Sequence, residues 1–139
     1  METPEAGLAG GCHCTAVRYT CAETPESAFY CHCTDCQRLS GSPFSVEVMV
    51  DRDALQVTGP LRAYAMRSET GDEVSRWHCA QCLSAIYLEA RSDPRHVFVK
   101  VGSMDDASGV RPRMHIFARH LQPWLVLDDG LPRFDAYPT

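Results

Sequence analysis

Cysteine spacing constrains this chain of 139 residues more than any other feature. Seven of its eight cysteines fall in three short clusters, and the eighth, Cys21, stands alone. The clusters are Cys12 and Cys14, then Cys31, Cys33 and Cys36, then Cys79 and Cys82. Two cysteines in a C-x-C pair make poor disulfide partners for each other. In a reducing compartment, clustered cysteines are metal ligands or catalytic groups more often than disulfides.

The overall composition is typical of a soluble globular protein. Hydrophobic residues make up 45% of the chain and charged residues 22%, and no apolar run is long enough to cross a bilayer. The opening METPEAGLAGG lacks the basic and apolar regions of a secretory signal. We therefore predict a cytoplasmic protein with no membrane partner. The net charge of −5 also argues against nucleic acid as a partner.

Short strands separated by turn residues dominate the pattern along the chain. The predicted strands are 16–20, 28–30, 44–50, 61–66, 74–77, 85–88, 96–101 and 114–118. One helical turn is predicted at 34–39, capped by Thr34 or Asp35 and ended by Gly41. This pattern predicts a mainly β, antiparallel fold with few short helical turns. We expect a flexible N-terminal lead-in at residues 1–9 and a single domain at 10–139.

The cysteine spacing predicts two zinc sites. In a strand, residues i and i+2 share a face, so each C-x-C pair would direct both sulfurs to one side. A C-x-x-C pair that follows a strand has the spacing of a zinc knuckle. Zinc takes four tetrahedral ligands with sulfurs at ~2.3 Å, so seven sulfurs fill one shell and leave the other one ligand short. The natural division is a closed site from Cys12, Cys14, Cys79 and Cys82, and an open site from Cys31, Cys33 and Cys36.

The residues alone leave alternatives open. The group of three cysteines could instead take a fourth ligand such as a histidine and be structural, whereas an open site would be catalytic or ligand-binding. His13 and His32 alternate with the cysteines and are predicted to face away from the metal. Cys21 is predicted to be a small buried side chain. Trp77 and Trp124 are predicted to lie in the core.

Four stretches of the sequence resemble one known family. GGCHCTAVRY at 10–19, YCHCTDCQRLSGSPFS at 30–45 and HCAQCLSAIY at 78–87 resemble the glutathione-dependent formaldehyde-activating enzyme family, also called the centromere protein V/GFA domain. The run PRMHIFARHLQPWLVLDDGLPRF is similar to that family's C-terminal elements, and His115 matches its late histidine. Two positions depart from the pattern, because Thr15 and Leu83 stand where the family usually has glycine.

The resemblance implies a GFA-like fold of antiparallel sheets packed at a steep angle, related to the β-tents. It implies two zinc ions per chain, a structural one on the four paired cysteines and a catalytic-type one on Cys31, Cys33 and Cys36. The implied activity is that of a carbon–sulfur lyase that forms or cleaves a thiol–carbonyl adduct, such as S-hydroxymethylglutathione, from glutathione and formaldehyde. The alternative is a non-catalytic, zinc-stabilised protein-interaction module. The fourth position on the second zinc distinguishes the two. His115 has either a role in that site or a packed, hydrogen-bonded one.

Overall fold

A computed structural model describes residues 7–138, which contain ten strands and one α-helix. The strands are β1 Leu8–Gly11, β2 Arg18–Cys21, β3 Ser27–Cys31, β4 Ser45–Asp51, β5 Leu55–Thr58, β6 Leu61–Arg67, β7 Glu73–Cys79, β8 Ala85–Ala90, β9 Asp93–Lys100 and β10 His115–Ile116. Helix α1 spans Thr34–Ser40 and ends, as predicted, at a left-handed Gly41. Three 3-10 turns lie at Arg52–Ala54, Val101–Ser103 and Ala118–His120. None of these helical elements is long and apolar enough to span a bilayer.

The strands form two sheets, and the prediction of a mainly β fold is confirmed. The small sheet has the order β1-β2-β5, and the large sheet has the order β10-β3-β4-β9-β8-β7-β6. The pairings are antiparallel except for the pairing of β10 with β3, which is parallel. The parallel pair brings the C-terminal part of the chain beside the strand that ends at Cys31.

The two faces of the large sheet have different surroundings. One face packs into the main core together with the small sheet. The fully buried residues of this core include Val17 and Tyr19 from the region of the small sheet, and Val48, Ile86 and Val99 from the large sheet. Alternate residues of the same strands point to the opposite face. Cys21 lies in this core at 0% exposure, so its predicted role as a small buried side chain is confirmed.

A β-bulge in β8 affects which face of the large sheet its side chains occupy. The register between β7 and β8 shifts after Trp77, which leaves Ile86 as an extra residue. Such a bulge changes which face the following side chains occupy. Ile86 is buried in the main core, whereas Leu88, two residues later, lines a cavity with residues of the other face.

The flexible lead-in predicted at residues 1–9 overlaps the first strand, so the prediction is wrong for Leu8 and Ala9. Residues 1–6 lie outside the described residues, but Leu8 and Ala9 are 5% and 3% exposed and belong to β1. The sequence LAGG carries little strand propensity, so pairing with β2 decides its conformation. At Gly10, an added Cβ would lie 2.4 Å from the hydroxyl oxygen of Tyr19. A side chain there would therefore displace a core tyrosine.

The prediction for the tryptophans was half wrong. Trp77 is partly buried, donates its indole N–H to Glu89 at 3.0 Å and stacks on Tyr87. Trp124 is 67% exposed. It lies in an irregular segment with no strand neighbour to cover its ring.

Candidate metal centres

Four cysteine sulfurs from distant parts of the sequence meet at one end of the small sheet. Cys12, Cys14, Cys79 and Cys82 place their sulfurs within 4.8 Å of one another. The Sγ atoms of Cys12 and Cys14 are 3.5 Å apart, and those of Cys14 and Cys79 are 3.8 Å apart. Sulfurs ~2.3 Å from a tetrahedral ion lie about 3.8 Å from each other. This donor set therefore fits a metal ion.

Cys12 and Cys14 lie in the turn between β1 and β2, so the expectation that a strand aligns them was wrong. The turn depends on Thr15, whose φ is 71°. The backbone N–H of Val17 donates to Sγ of Cys12 at 3.2 Å. Such an N–H contact favours the negatively charged sulfur that a metal requires.

The C-x-x-C pair forms the predicted knuckle at the end of β7. The backbone N–H groups of Gln81 and Cys82 point to Sγ of Cys79 at 3.3 and 3.5 Å. Leu83 follows with a φ of 66° and donates its N–H to the Cys79 carbonyl oxygen at 3.0 Å. Leu83 therefore adopts the left-handed conformation that glycine adopts without strain. In the same knuckle, a contact with the Ser84 hydroxyl lowers the pKa of Cys82 to about 5.

The second group, called here the cysteine trio, consists of Cys31, Cys33 and Cys36. Cys31 ends β3, Cys33 is the N-cap of α1, and Cys36 lies in the first turn of that helix. The trio is therefore held by a strand-to-helix junction, and the expected strand alignment of Cys31 with Cys33 was wrong. The cap is not Thr34 or Asp35, because Sγ of Cys33 accepts the Cys36 N–H at 3.2 Å.

The trio is buried, compact and close to positive charge. Its three sulfurs lie within 4.8 Å of one another, and all eight cysteines of the chain are free thiols. Contacts with Cys31 and Cys33, followed by the charges of Lys100 and Arg76, lower the pKa of Cys36. Both terminal nitrogens of Arg76 lie 3.7 Å from Sγ of Cys36. Burial opposes the charge of Arg76, but the Cys36 sulfur outweighs it and raises the arginine pKa.

The trio opens on a cavity. Among the described residues, no fourth cysteine, histidine or carboxylate joins the three sulfurs. All three cysteines line a cavity of about 360 Å³ whose other walls are mostly apolar. This volume falls within the range of small-molecule sites. The group can accordingly hold a metal ion with three protein ligands and leave room for a small molecule.

Glu47, which lines the same cavity, forms a buried ion pair with Lys100. Glu47 and Lys100 are directly opposite on β4 and β9, and the Lys100 Nζ lies 2.5 Å from Oε1 of Glu47. Ser45 donates to the same oxygen at 2.7 Å. Oε2 of Glu47 is buried and has no partner among the described residues. Sequence reasoning missed this pair and Arg76, although charged residues inside valine-rich strands, as in SVEVMV, are a usable signal.

Histidines lie behind the trio and do not complete it. Nε2 of His32 lies 2.8 Å from Nδ1 of His115, whose Nε2 lies 2.8 Å from Oδ2 of Asp129. Both histidines are fully buried. Burial, followed by the charge of His115, lowers the pKa of His32 to about 4. Of the two roles left open for His115, the structure favours the packed, hydrogen-bonded one. His13 is exposed.

Fold and site together define a mainly β protein with two cysteine clusters that could hold metal ions. The chain belongs to the glutathione-dependent formaldehyde-activating enzyme family, whose sequence profile matches residues 7–120. The resemblance stated above is thereby confirmed.

Two relatives agree with this assignment, and a solved structure agrees with the fold. A Halomonas elongata protein named for the same family is 28% identical over 133 residues, covering 87% of this chain and 81% of its own. A Penicillium rubens protein named likewise is 31% identical over 102 residues, which are 69% of this chain but only 52% of that protein. A Rhodobacter sphaeroides protein of known crystal structure shares the fold, with 23% identity, a TM-score of 0.58 and coverage of 91% of this chain and 99% of that one.

Proposed function

We propose that this chain is a zinc-dependent carbon–sulfur lyase that forms or cleaves a thiol–carbonyl adduct, such as S-hydroxymethylglutathione, at the cysteine trio. The observation that carries the proposal is the cavity, which is lined by all three cysteines, while no fourth ligand joins their sulfurs among the described residues. The four paired cysteines would hold a second, structural zinc ion. A cytoplasmic location fits the eight free thiols, because that compartment keeps thiols reduced.

The donor sets suit zinc, since thiolates are among its preferred ligands. A zinc ion held by three thiolates would supply a positive centre that keeps an incoming thiol deprotonated near neutral pH. The chain's own residues prepare the surroundings of that centre. The three cysteines are buried, and Arg76 balances the negative charge of Cys36.

The reaction needs no redox partner. The thiol loses its proton, and its sulfur attacks the carbonyl carbon, so that a C–S bond forms as the C=O π bond breaks. The electron pair moves to the oxygen, which takes up one proton and becomes a hydroxyl group. The reverse sequence cleaves the adduct. Arg76 lines the cavity, and its buried Nε–H has no acceptor among the described residues. It is a candidate donor to the developing oxyanion.

The test measures metal content and adduct exchange in the same preparations. The variant with Cys31, Cys33 and Cys36 all replaced by serine should fall from two zinc ions per chain to one, since one of two cysteine groups is lost. Thiols add to formaldehyde unaided, so catalysis must be measured as acceleration. Exchange NMR can follow the methylene protons between free formaldehyde and its glutathione adduct. The triple variant should lose the acceleration.

Cys21→Ala is the matched control, because Cys21 is a free buried thiol outside both groups. It should keep both ions and the full exchange rate. Unchanged exchange in the triple variant would reject the lyase proposal and leave the non-catalytic, zinc-stabilised interaction module.

A further inference from the structure

We propose that the preferred thiol of this site is an uncharged thiol with an apolar substituent, of the arylalkyl type, in place of glutathione. This inference rests on the proposed function and names the substrate class of the same cavity.

The sheet side of the cavity is apolar over several adjacent strands. Phe29 of β3, Met49 of β4, Phe98 of β9, Leu88 of β8 and Val74 of β7 all line it. Met49 and Phe98 alternate along their strands with valines of the main core, namely Val48, Val50, Val97 and Val99. The rings of Phe29 and Phe98 meet edge to face at 5.8 Å. A hydrocarbon group placed here would leave water with a favourable free energy.

The rest of the apolar lining comes from the C-terminal part of the chain. Met114, Ile116, Phe117 and Tyr137 contribute to it. The rings of Phe117 and Tyr137 are 5.2 Å apart. Phe117 holds a φ of 53°, a conformation that a bulky residue adopts only when its surroundings impose it. Both parts of the lining therefore suit a ring or a branched hydrocarbon.

The charges around the cavity oppose an anionic ligand. Of the lining carboxylates, Glu69 pairs with Arg119 and His120, and Asp93 pairs with His96. Asp35, which also lines the cavity, has no ion-pair partner among the described residues, so its negative charge is not balanced. Arg76 is the one cation among the described lining residues, and Cys36 already contacts both of its terminal nitrogens. Glutathione carries two carboxylates and one ammonium group, so it would bring a net negative charge next to these groups.

A wider depression of about 870 Å³ offers no better site for those carboxylates. It includes Cys36 but neither Cys31 nor Cys33. The cationic side chains of its lining already have partners, because Arg18 pairs with Asp105, Lys100 pairs with Glu47 and the terminal nitrogens of Arg76 contact Cys36. A ligand whose sulfur must reach the whole trio enters through the apolar cavity.

Glu47 gives the cavity one polar anchor. It is 1% exposed, it lines the cavity, and its Oε2 has no partner among the described residues. A buried acceptor of this kind favours a ligand that brings a donor. The hydroxyl group of a thiol–carbonyl adduct is such a donor, whereas a carboxylate of glutathione is repelled.

The test compares thiols by isothermal titration calorimetry on the metal-loaded protein. Benzyl mercaptan should bind with a Kd about tenfold lower than that of glutathione or 3-mercaptopropionate, since burial of an aromatic ring is worth at least this factor. Val74→Phe fills part of the cavity and should raise the Kd of benzyl mercaptan about tenfold. Val126→Phe, at a side chain 83% exposed, is the matched control and should leave all affinities unchanged.

A charge variant tests the electrostatic contribution without changing the shape of the cavity. Asp35→Asn should lower the Kd of glutathione and leave the Kd of benzyl mercaptan unchanged. Asp53→Asn, outside the cavity, should change neither Kd. Glutathione binding as tightly as benzyl mercaptan in the unmodified protein would overturn this inference and leave the proposed function intact. Failure of every thiol to bind would overturn both.

Discussion

Both terminal nitrogens of Arg76 lie 3.7 Å from the Sγ atom of Cys36. Arg76 lies on β7 and Cys36 on α1, so the contact joins the large sheet to the helix that carries the trio. A guanidinium in this position stabilises negative charge on the sulfur and lies within reach of the cavity.

Replacing Arg76 should therefore reduce catalysis more than metal binding. Hydrogen bonds to charged groups contribute about 1.5–3 kcal/mol, so Arg76→Gln should lower the adduct exchange rate by roughly ten- to a hundredfold. The exchange rate of Arg76→Lys should lie between those of the unmodified protein and Arg76→Gln, because lysine keeps the charge but lacks the planar guanidinium. Both variants should keep two ions per chain in metal analysis. Arg62→Gln on the exposed surface of β6 serves as control. An unchanged exchange rate in Arg76→Gln would exclude the role given to this side chain.

The two cysteine groups should differ in their effect on stability. Cys79 is fully buried in the main core and joins two regions that are far apart in sequence. A structural zinc contributes ~10 kcal/mol or more in small domains, so Cys79→Ser should unfold or aggregate the protein. Cys33→Ser should keep the fold and lose activity. Thermal unfolding followed by circular dichroism measures both, and equal losses would contradict the division of roles.

Leu83 occupies a backbone conformation that favours glycine. Its φ is 66° and its side chain is 67% exposed. Left-handed geometry costs a leucine roughly 1–2 kcal/mol, and glycine removes this strain. Glycine also increases the entropy of the unfolded chain, which offsets part of the gain, so Leu83→Gly should raise the free energy of unfolding by about 0.5–1 kcal/mol.

The contrasting variant for Leu83 is Leu39→Gly. Leu39 is 49% exposed and lies in α1, where glycine costs about 1 kcal/mol. Denaturant titration should give opposite signs for the two changes. A loss of stability in Leu83→Gly would show that its side chain contributes more than its backbone strain removes.

His96 should make stability depend on pH. Nδ1 of His96 lies 2.9 Å from an Asp93 oxygen, and Nε2 lies 2.7 Å from Glu26. Burial alone would lower the pKa of His96, but Asp93 and Glu26 outweigh it and raise the pKa. Because the pKa of His96 is higher in the folded state, its protonation stabilises the fold. This stabilisation is fully present below the unfolded-state pKa of about 6.5 and is lost as the pH rises through the folded-state pKa.

The measurement is the difference in unfolding free energy between the unmodified protein and His96→Gln. It should be larger at about pH 5.5 than at about pH 8.5. Asp93→Asn should reduce this pH dependence, because it removes the hydrogen-bonded carboxylate. A difference that grows with rising pH would mean that His96 is held neutral in the fold.

The cysteine groups could be predicted because their spacing follows ligand chemistry. The division into four and three matches the two groups that the structure brings together, even though the strand geometry used to argue for it was wrong. Turns and an N-cap orient the sulfurs, with Thr15 and Leu83 in left-handed conformations. Local conformation of this kind depends on hydrogen bonds to sulfur that no strand period encodes.

The sequence by itself determined the mainly β class, the family and the seven clustered sulfurs. These depend on residue type and short-range spacing, which the chain carries before it folds. Only the tertiary structure decided that Arg76 meets Cys36, that Glu47 meets Lys100 and that an apolar cavity opens beside the trio. Those contacts depend on the register of five adjacent strands and on the C-terminal segment that covers them. Long-range pairing sets which side chains meet, so their role became visible only in the folded chain.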